Sequence, residues 1–170
     1  MNIAIFGLPG RGKTFLAKEL AKRINAVLIS SDTVRNELKQ NGKYDDKAKL
    51  EVYHSMLKLM DVAINQKQNV VLDATFYREN IRHLFKEKAA EHQSSLYFIE
   101  MKAAESVIKE RVDKKRPDSE ANFEVYLKIK SEFEPLQENH LVLYPAHEGS
   151  SEMIGRVLAY INYQDEKGRG

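Results

Sequence analysis

Residues 7–14 read Gly7-Leu8-Pro9-Gly10-Arg11-Gly12-Lys13-Thr14, and no other stretch of the chain restricts its fold as tightly. The apolar run Ile3-Ala4-Ile5-Phe6 precedes this segment, and the amphipathic stretch from Phe15 to Ile24 follows it. Strand, glycine loop and helix in that order is the context a phosphate-binding loop requires. The glycines let the backbone turn inward, so successive N–H groups point at phosphate oxygens, and the opening of the helix adds unpaired N–H groups and the positive end of its dipole. Lys13 is placed to reach the β- and γ-phosphates, and the Thr14 hydroxyl to ligate Mg²⁺. The nucleotide-contacting set is then Gly7, Pro9, Gly10, Arg11, Gly12, Lys13, Thr14 and Phe15. An ordinary glycine turn ahead of an ordinary helix would need chance to supply both flanking elements.

Hydrophobic periodicity orders the rest. Strands are expected at 2–6, 26–30, 69–73, 95–101 and 141–144. Helices are expected at 12–23, from 31 to about 39, and at 45–66, 79–92, 104–114, 120–133 and 150–163, with 164–170 a flexible tail. Any of Ser30, Ser31 or Asp32 is able to cap the second helix. In the third helix Leu50, Tyr53, Leu57, Met60 and Ile64, joined by Val52, Met56, Leu59 and Ala63, form one wide buried face. Pro117 stops the helix that ends in the basic run 111–116. Strands alternating with helices over short links give a parallel sheet covered on both faces, with ligands bound outside the carboxyl ends of the strands.

Composition narrows the setting. At 170 residues the chain is one domain, able to bury roughly 70% of its unfolded surface. It has no cysteine, which excludes disulfides, thiolate metal sites and a cysteine nucleophile. Lys and Arg number 27 against 25 Asp and Glu, so a net charge of +2 offers no polycationic surface for duplex nucleic acid. No apolar run approaches the roughly 20 residues of a membrane span, and the chain begins on a strand rather than a basic leader, so a cytoplasmic protein with no membrane contact is expected.

Three further constellations lie where strands end. Asp32 and Arg35, three apart at a helix start, share one face: a carboxylate able to take a proton from a hydroxyl, and a guanidinium able to hold an anion. Capping by Asp32 and solvation of Arg35 is the plainer alternative. Asp73 closes an apolar strand and suits Mg²⁺ or its waters; Thr75, Arg78 and Arg82 follow it, with one of the two arginines a candidate for a substrate phosphate or carboxylate. The basic run 111–116 is either a solvated charge run or a source of arginines over a triphosphate. The five histidines show no metal-ligand spacing.

Taken together, the loop 7–14, Ser31-Asp32-x-x-Arg35, Val70-Val71-Leu72-Asp73-Ala74-Thr75-Phe76 and the arginine segment 111–116 followed by Ser119-Glu120-Ala121 resemble a group of small P-loop kinases over about residues 1–136. The group contains the kinase domain of polynucleotide kinase, the zeta toxins, chloramphenicol phosphotransferase and gluconate kinase. The resemblance implies a three-layer α/β/α P-loop NTPase fold with a five-stranded parallel sheet and a small helical lid at about 111–121, in a single domain spanning 1–163. It implies ATP or GTP with Mg²⁺, Asp32 as general base, Arg35 as acceptor ligand, and Arg111 and Arg116 as lid arginines. Asn69 stands where these kinases often carry a glycine.

These readings converge on transfer of the γ-phosphoryl group to a hydroxyl of a small molecule or oligonucleotide end. Lys13, Asp32 and Arg116 are the catalytic candidates, Arg111 a nucleotide ligand, Asp32, Arg35, Thr75, Arg78 and Arg82 the substrate side, and Thr14 with Asp73 the metal side. A monomer or weak dimer suffices for such a site. Two alternatives remain: a nucleoside or nucleotide kinase with Tyr44 or Tyr53 stacked on a base, and an ATPase switch lacking a small acceptor.

Overall fold

A computed structural model describes residues 1–43, 45–102, 123–145 and 148–168. The expected helix 104–114, the lid at 111–121 with Arg111 and Arg116, the first turn of the helix expected from 120, and Tyr44 lie outside the described residues.

Five parallel strands form one sheet in the order β2-β3-β1-β4-β5: β1 Asn2–Phe6, β2 Ala26–Ser30, β3 Asn69–Asp73, β4 Leu96–Met101 and β5 Leu141–Leu143. Around them lie six described helices: α1 Lys13–Arg23, α2 Ser31–Glu37, α3 Asp46–Asn65, α4 Glu79–Glu91, α5 Phe123–Ser131 and α6 Ser150–Gly168. The central strand β1 is buried along its whole length and pairs with β3 (Ile3 opposite Val71) and β4 (Ile3 opposite Tyr97). A strand flanked on both edges and covered on both faces needs a continuous apolar run, which is what Ile3-Ala4-Ile5-Phe6 supplies.

The two-residue period of β1 divides the core. Ile3 and Ile5 join Leu16 and Leu20 of α1 and Met153, Val157 and Ile161 of α6 on one face. Ala4 and Phe6 join Val52, Met56 and Met60 of α3 and Ile81 and Phe85 of α4 on the other. The second face is rich in rings. Phe6 meets Phe98 edge-on at 5.7 Å, Phe76 meets Phe98 at 5.9 Å and Phe85 at 5.0 Å, and Phe133 stacks on Phe6. Such pairs add about 0.5–1.5 kcal/mol each beyond the area they bury. Asn69 accepts from the amino terminus and donates to the Ile24 carbonyl, tying the start of β3 to the end of α1.

Two expectations are corrected. The buried face of α3 is Ala48, Lys49, Val52, Tyr53, Met56, Met60 and Ala63, while Leu50 and Leu59 are exposed. The face turns toward Lys49 because its ammonium lies over the Tyr77 ring at 4.9 Å, with Glu132 at 3.7 Å and Asp46 at 3.8 Å to compensate its charge. At the other end of the chain, α6 runs on to Gly168 instead of fraying at 164. There Tyr97 donates its hydroxyl to Asp165, giving the last turns of α6 a polar anchor on the sheet.

Candidate active site

The loop 7–14 connects the end of β1 to α1 on the carboxyl side of the sheet. Gly7, Gly10 and Gly12 all have positive φ, at 131°, 77° and 82°. Gly7 has no room for a side chain: a Cβ there would lie 2.5 Å from the Met101 carbonyl oxygen. The same carbonyl accepts from Arg11 Nη1 at 3.3 Å, so the loop is pinned to the end of β4. Gly12 holds the N-cap position of α1 with no side-chain cap, and no acidic residue stands in the first turn. The leading N–H groups of the helix are thereby left for a ligand, and the dipole favours an anion there. Pro9 is half-buried in the loop, and Phe15, on the first turn of α1, is 59% exposed.

Lys13 reaches back across the loop and donates to the Leu8 carbonyl at 3.1 Å. Burial pulls its pKa below the usual lysine value, while the charges of Asp73 and Asp32 oppose that shift and Arg11 adds to it. Both carboxylates therefore stand within electrostatic reach of the ammonium. Asp73 is buried and accepts from Ser30 Oγ at 3.1 Å, with Thr14 and the charge of Lys13 acting on it. Burial raises its pKa above the usual carboxylate value, Asp32 adding to the rise and Lys13, Thr14 and Ser30 resisting it. Asp32 is exposed in the first turn of α2.

A hydroxyl and a carboxylate side by side at Thr14 and Asp73, with a second carboxylate close by, fit Mg²⁺, which keeps several waters and takes few protein ligands. Among the described residues no cluster of three or more His, Cys, Asp or Glu side chains is arranged to hold a metal on its own. The donor set thus suits an ion that arrives with nucleotide phosphates.

The turn after β3 completes the rim. Thr75 gives its carbonyl to Gly7 N–H at 3.4 Å and its hydroxyl to a 3.1 Å contact with Tyr53 Oη. Phe76 is held at φ 45°, in the left-handed region that a bulky residue seldom occupies. Its N–H donates to Tyr53 Oη at 3.0 Å and its carbonyl accepts from Arg82 Nη1 at 2.8 Å. Arg35 donates to the Lys43 carbonyl at 2.6 Å, and its charge reaches Tyr53.

Two of the expected substrate ligands are engaged by groups of the protein itself. Arg82 is 2% exposed and spends Nη1 on the Phe76 carbonyl, so it supports the turn from below. Arg78 lies over the Tyr77 ring at 5.2 Å and faces Asp46 and Glu132, each at 3.5 Å. Tyr53 cannot stack on a base: its ring is buried between Phe76 and Phe85, and its hydroxyl is engaged.

Sequence reasoning missed three contributors. Ser30 occupies the N-cap position of α2 without capping it, because its hydroxyl goes to Asp73. Glu134 accepts from Glu79 N–H at 2.5 Å and so caps α4 from another segment. Tyr53 carries the spacing of a core residue, and nothing local marks its hydroxyl.

A family model described as an AAA domain matches residues 3–136. Curated relatives from Mycobacterium tuberculosis and Mycobacterium bovis, each an uncharacterized protein, are 26% identical over 118 residues. That match takes in 62% of this chain but 24% of theirs, so the chain spans about a quarter of their length. Among solved structures, a sugar kinase from Janibacter sp. superposes with a TM-score of 0.71 at 15% identity, over 95% of this chain and 94% of its own. The APS kinase CysC of Mycobacterium tuberculosis, solved with AMPPNP and APS, gives 0.72 at 15% over 95% and 97%. A gluconokinase from Sinorhizobium meliloti gives 0.70 at 14% over 96% of each chain. The fold is the three-layer P-loop NTPase fold of small kinases. No described helix is long and apolar enough to cross a membrane.

Proposed function

The chain belongs to the AAA domain family whose model covers its residues 3–136, and from that premise we propose that it is a kinase moving the γ-phosphoryl group of ATP to a hydroxyl held beside Asp32. One observation carries this reading: Asp32, exposed in the first turn of α2, lies two residues after Ser30, whose hydroxyl donates to Asp73 at 3.1 Å, so the carboxylate stands at the strand ends beside the loop's lysine and Asp73. A carboxylate there is proposed to take the proton of the acceptor hydroxyl.

In the proposed reaction the acceptor oxygen attacks the γ-phosphorus in line, its proton passes to Asp32, and the bridging β–γ oxygen leaves with ADP. Lys13 and the loop N–H groups stabilise the charge on the transferred group, where most catalysis of this kind lies. Mg²⁺, held by Thr14 and Asp73, would neutralise phosphate charge. Arg35 is proposed to hold the acceptor, Phe15 and the loop residues to hold the nucleotide, and Arg111 and Arg116 to close on the triphosphate.

The structural neighbours named as a sugar kinase and a gluconokinase favour a small polyol or sugar acid over an oligonucleotide end. The burial of Tyr53 weakens the nucleoside alternative. We place the protein in the cytoplasm, acting as a monomer or weak dimer on a diffusible acceptor. The test is a panel of sugars, sugar acids, nucleosides and 5′-hydroxyl oligonucleotides with γ-labelled ATP, repeated with GTP. A labelled organic product from the wild type, absent with Asp32→Asn, supports the reading. Hydrolysis that no hydroxyl compound diverts rejects it in favour of an ATPase switch.

A further inference from the structure

The contacts around Tyr53 settle a question that distance alone leaves open: which of two hydroxyls donates. Tyr53 Oη already accepts the Phe76 N–H at 3.0 Å, and its other polar neighbour is Thr75 Oγ1 at 3.1 Å. If Thr75 donated to Tyr53, the tyrosine proton would be left in a buried site without an acceptor, a costly arrangement. If Tyr53 donates, every one of its polar atoms is satisfied. Thr75 then has its own proton free of the Tyr53–Phe76 pair, on a half-buried side chain whose carbonyl is already tied to Gly7 of the phosphate loop.

We infer that Tyr53 is a positioning residue: its buried hydroxyl donates to Thr75 Oγ1, holds that side chain in place and leaves the Thr75 proton for a ligand acceptor. The inference rests on the kinase reading and deepens it, because it specifies the chemistry of the ligand atom at that point. The Thr75 proton suits a lone pair on a ligand oxygen, such as one of a phosphoryl group, a carboxylate or a sugar hydroxyl, while the second Thr75 lone pair stays open to a donor. Burial pushes the Tyr53 pKa up to about 12, so the proton stays on the phenol across the working pH range. Phe76, in the left-handed region, has both backbone polar groups held, its N–H by Tyr53 and its carbonyl by Arg82.

The Tyr53 ring packs on Phe76 at 5.5 Å and Phe85 at 6.3 Å, so Tyr53→Phe keeps the apolar contacts and removes the hydroxyl alone. The first arm of the test needs no acceptor. Proton NMR of the full chain with AMPPNP should show a slowly exchanging Tyr53 hydroxyl proton with cross-peaks to the Thr75 side chain, absent in Tyr53→Phe. A protected hydroxyl proton that belongs to Thr75 instead, with Tyr53 exchanging freely, overturns the inference. The second arm uses the acceptor found in the γ-labelled ATP panel. Tyr53→Phe and Thr75→Val should each raise its KM about tenfold, the loss of one hydrogen bond, with AMPPNP affinity unchanged. Thr75→Ser, which keeps the hydroxyl, should stay within about threefold of wild type. In the Thr75→Val background Tyr53→Phe should add less than about twofold, since the two act as one unit. Full additivity, or an equal fall in AMPPNP affinity, makes Tyr53 a packing residue and sinks the proposal. If the wild type labels nothing in the panel, the kinase reading fails and the NMR arm alone decides the hydroxyl polarity.

Discussion

The phosphate loop meets its ligand with backbone N–H groups and depends on glycine conformations, whereas the facing rim depends on side chains delivered by separate segments. On the loop side, Gly7, Gly10 and Gly12 set the path, and the anchors to the body are the carbonyls of Met101 and Thr75. On the rim, β2 supplies Ser30, α2 supplies Asp32, β3 and its turn supply Asp73 and Thr75, α3 supplies Tyr53, and the segment after α5 supplies Glu134. A backbone-built surface is vulnerable where a Cβ would intrude. A surface built from side chains is vulnerable to the loss of single polar atoms, without loss of the fold.

Four substitutions probe that division. The largest effect belongs to the rim: Asp32→Asn should slow phosphoryl transfer by about 10²–10⁴-fold, the usual contribution of a positioned base, while AMPPNP affinity stays within about twofold. A parallel loss of nucleotide affinity would show that the two sides are not separable. Next is Gly7→Ala, which places a methyl 2.5 Å from the Met101 carbonyl at a φ of 131°. It should lower stability by about 2–3 kcal/mol, read from the urea midpoint, and abolish AMPPNP binding in calorimetry. Glu134→Ala removes a cap supplied from a distant segment and should cost about 1 kcal/mol of stability, with nucleotide affinity retained.

Asp73→Asn has the smallest effect on stability, and its sign is opposite. The folded-state pKa of Asp73 is raised above the ordinary 3.8, so its contribution to stability is complete below that value and is lost as pH rises through the folded-state pKa. At neutral pH the ionised form is therefore a net cost to the nucleotide-free protein. Asp73→Asn should raise the apo Tm at pH 7 and flatten its fall between acid and neutral pH, yet weaken Mg²⁺-dependent AMPPNP binding. A lower apo Tm at pH 7 would mean that Lys13 and Ser30 hold the carboxylate more firmly than burial resists it.

Much of the fold was legible because the signals were local. The strand positions, the parallel sheet and the loop glycines follow from apolar runs, short links and backbone conformations that each residue carries with it. The third helix was legible as a helix but not in its facing. Helical spacing drew a stripe through Leu50 and Leu59, and the protein buries Lys49 instead, because Tyr77, Asp46 and Glu132 converge on it. Arg82 read as a cation available to substrate and is a support for the Phe76 carbonyl. The polar residues after 163 read as a tail and continue a helix, held by Tyr97 and Asp165.

The amino-acid order by itself determined the phosphate loop, the alternation that lays strands side by side, and the placing of Asp32 and Asp73 at strand ends. Glycine dihedrals and two- or three-to-four-residue periods are properties of neighbouring residues. Tertiary structure alone decided which hydroxyls serve the site. Tyr53 meets Thr75 across 22 positions, Ser30 meets Asp73 across 43, and Glu134 meets Glu79 across 55. A hydrogen bond between residues that far apart leaves no periodicity in the chain, because its geometry exists only once the sheet has brought the segments together.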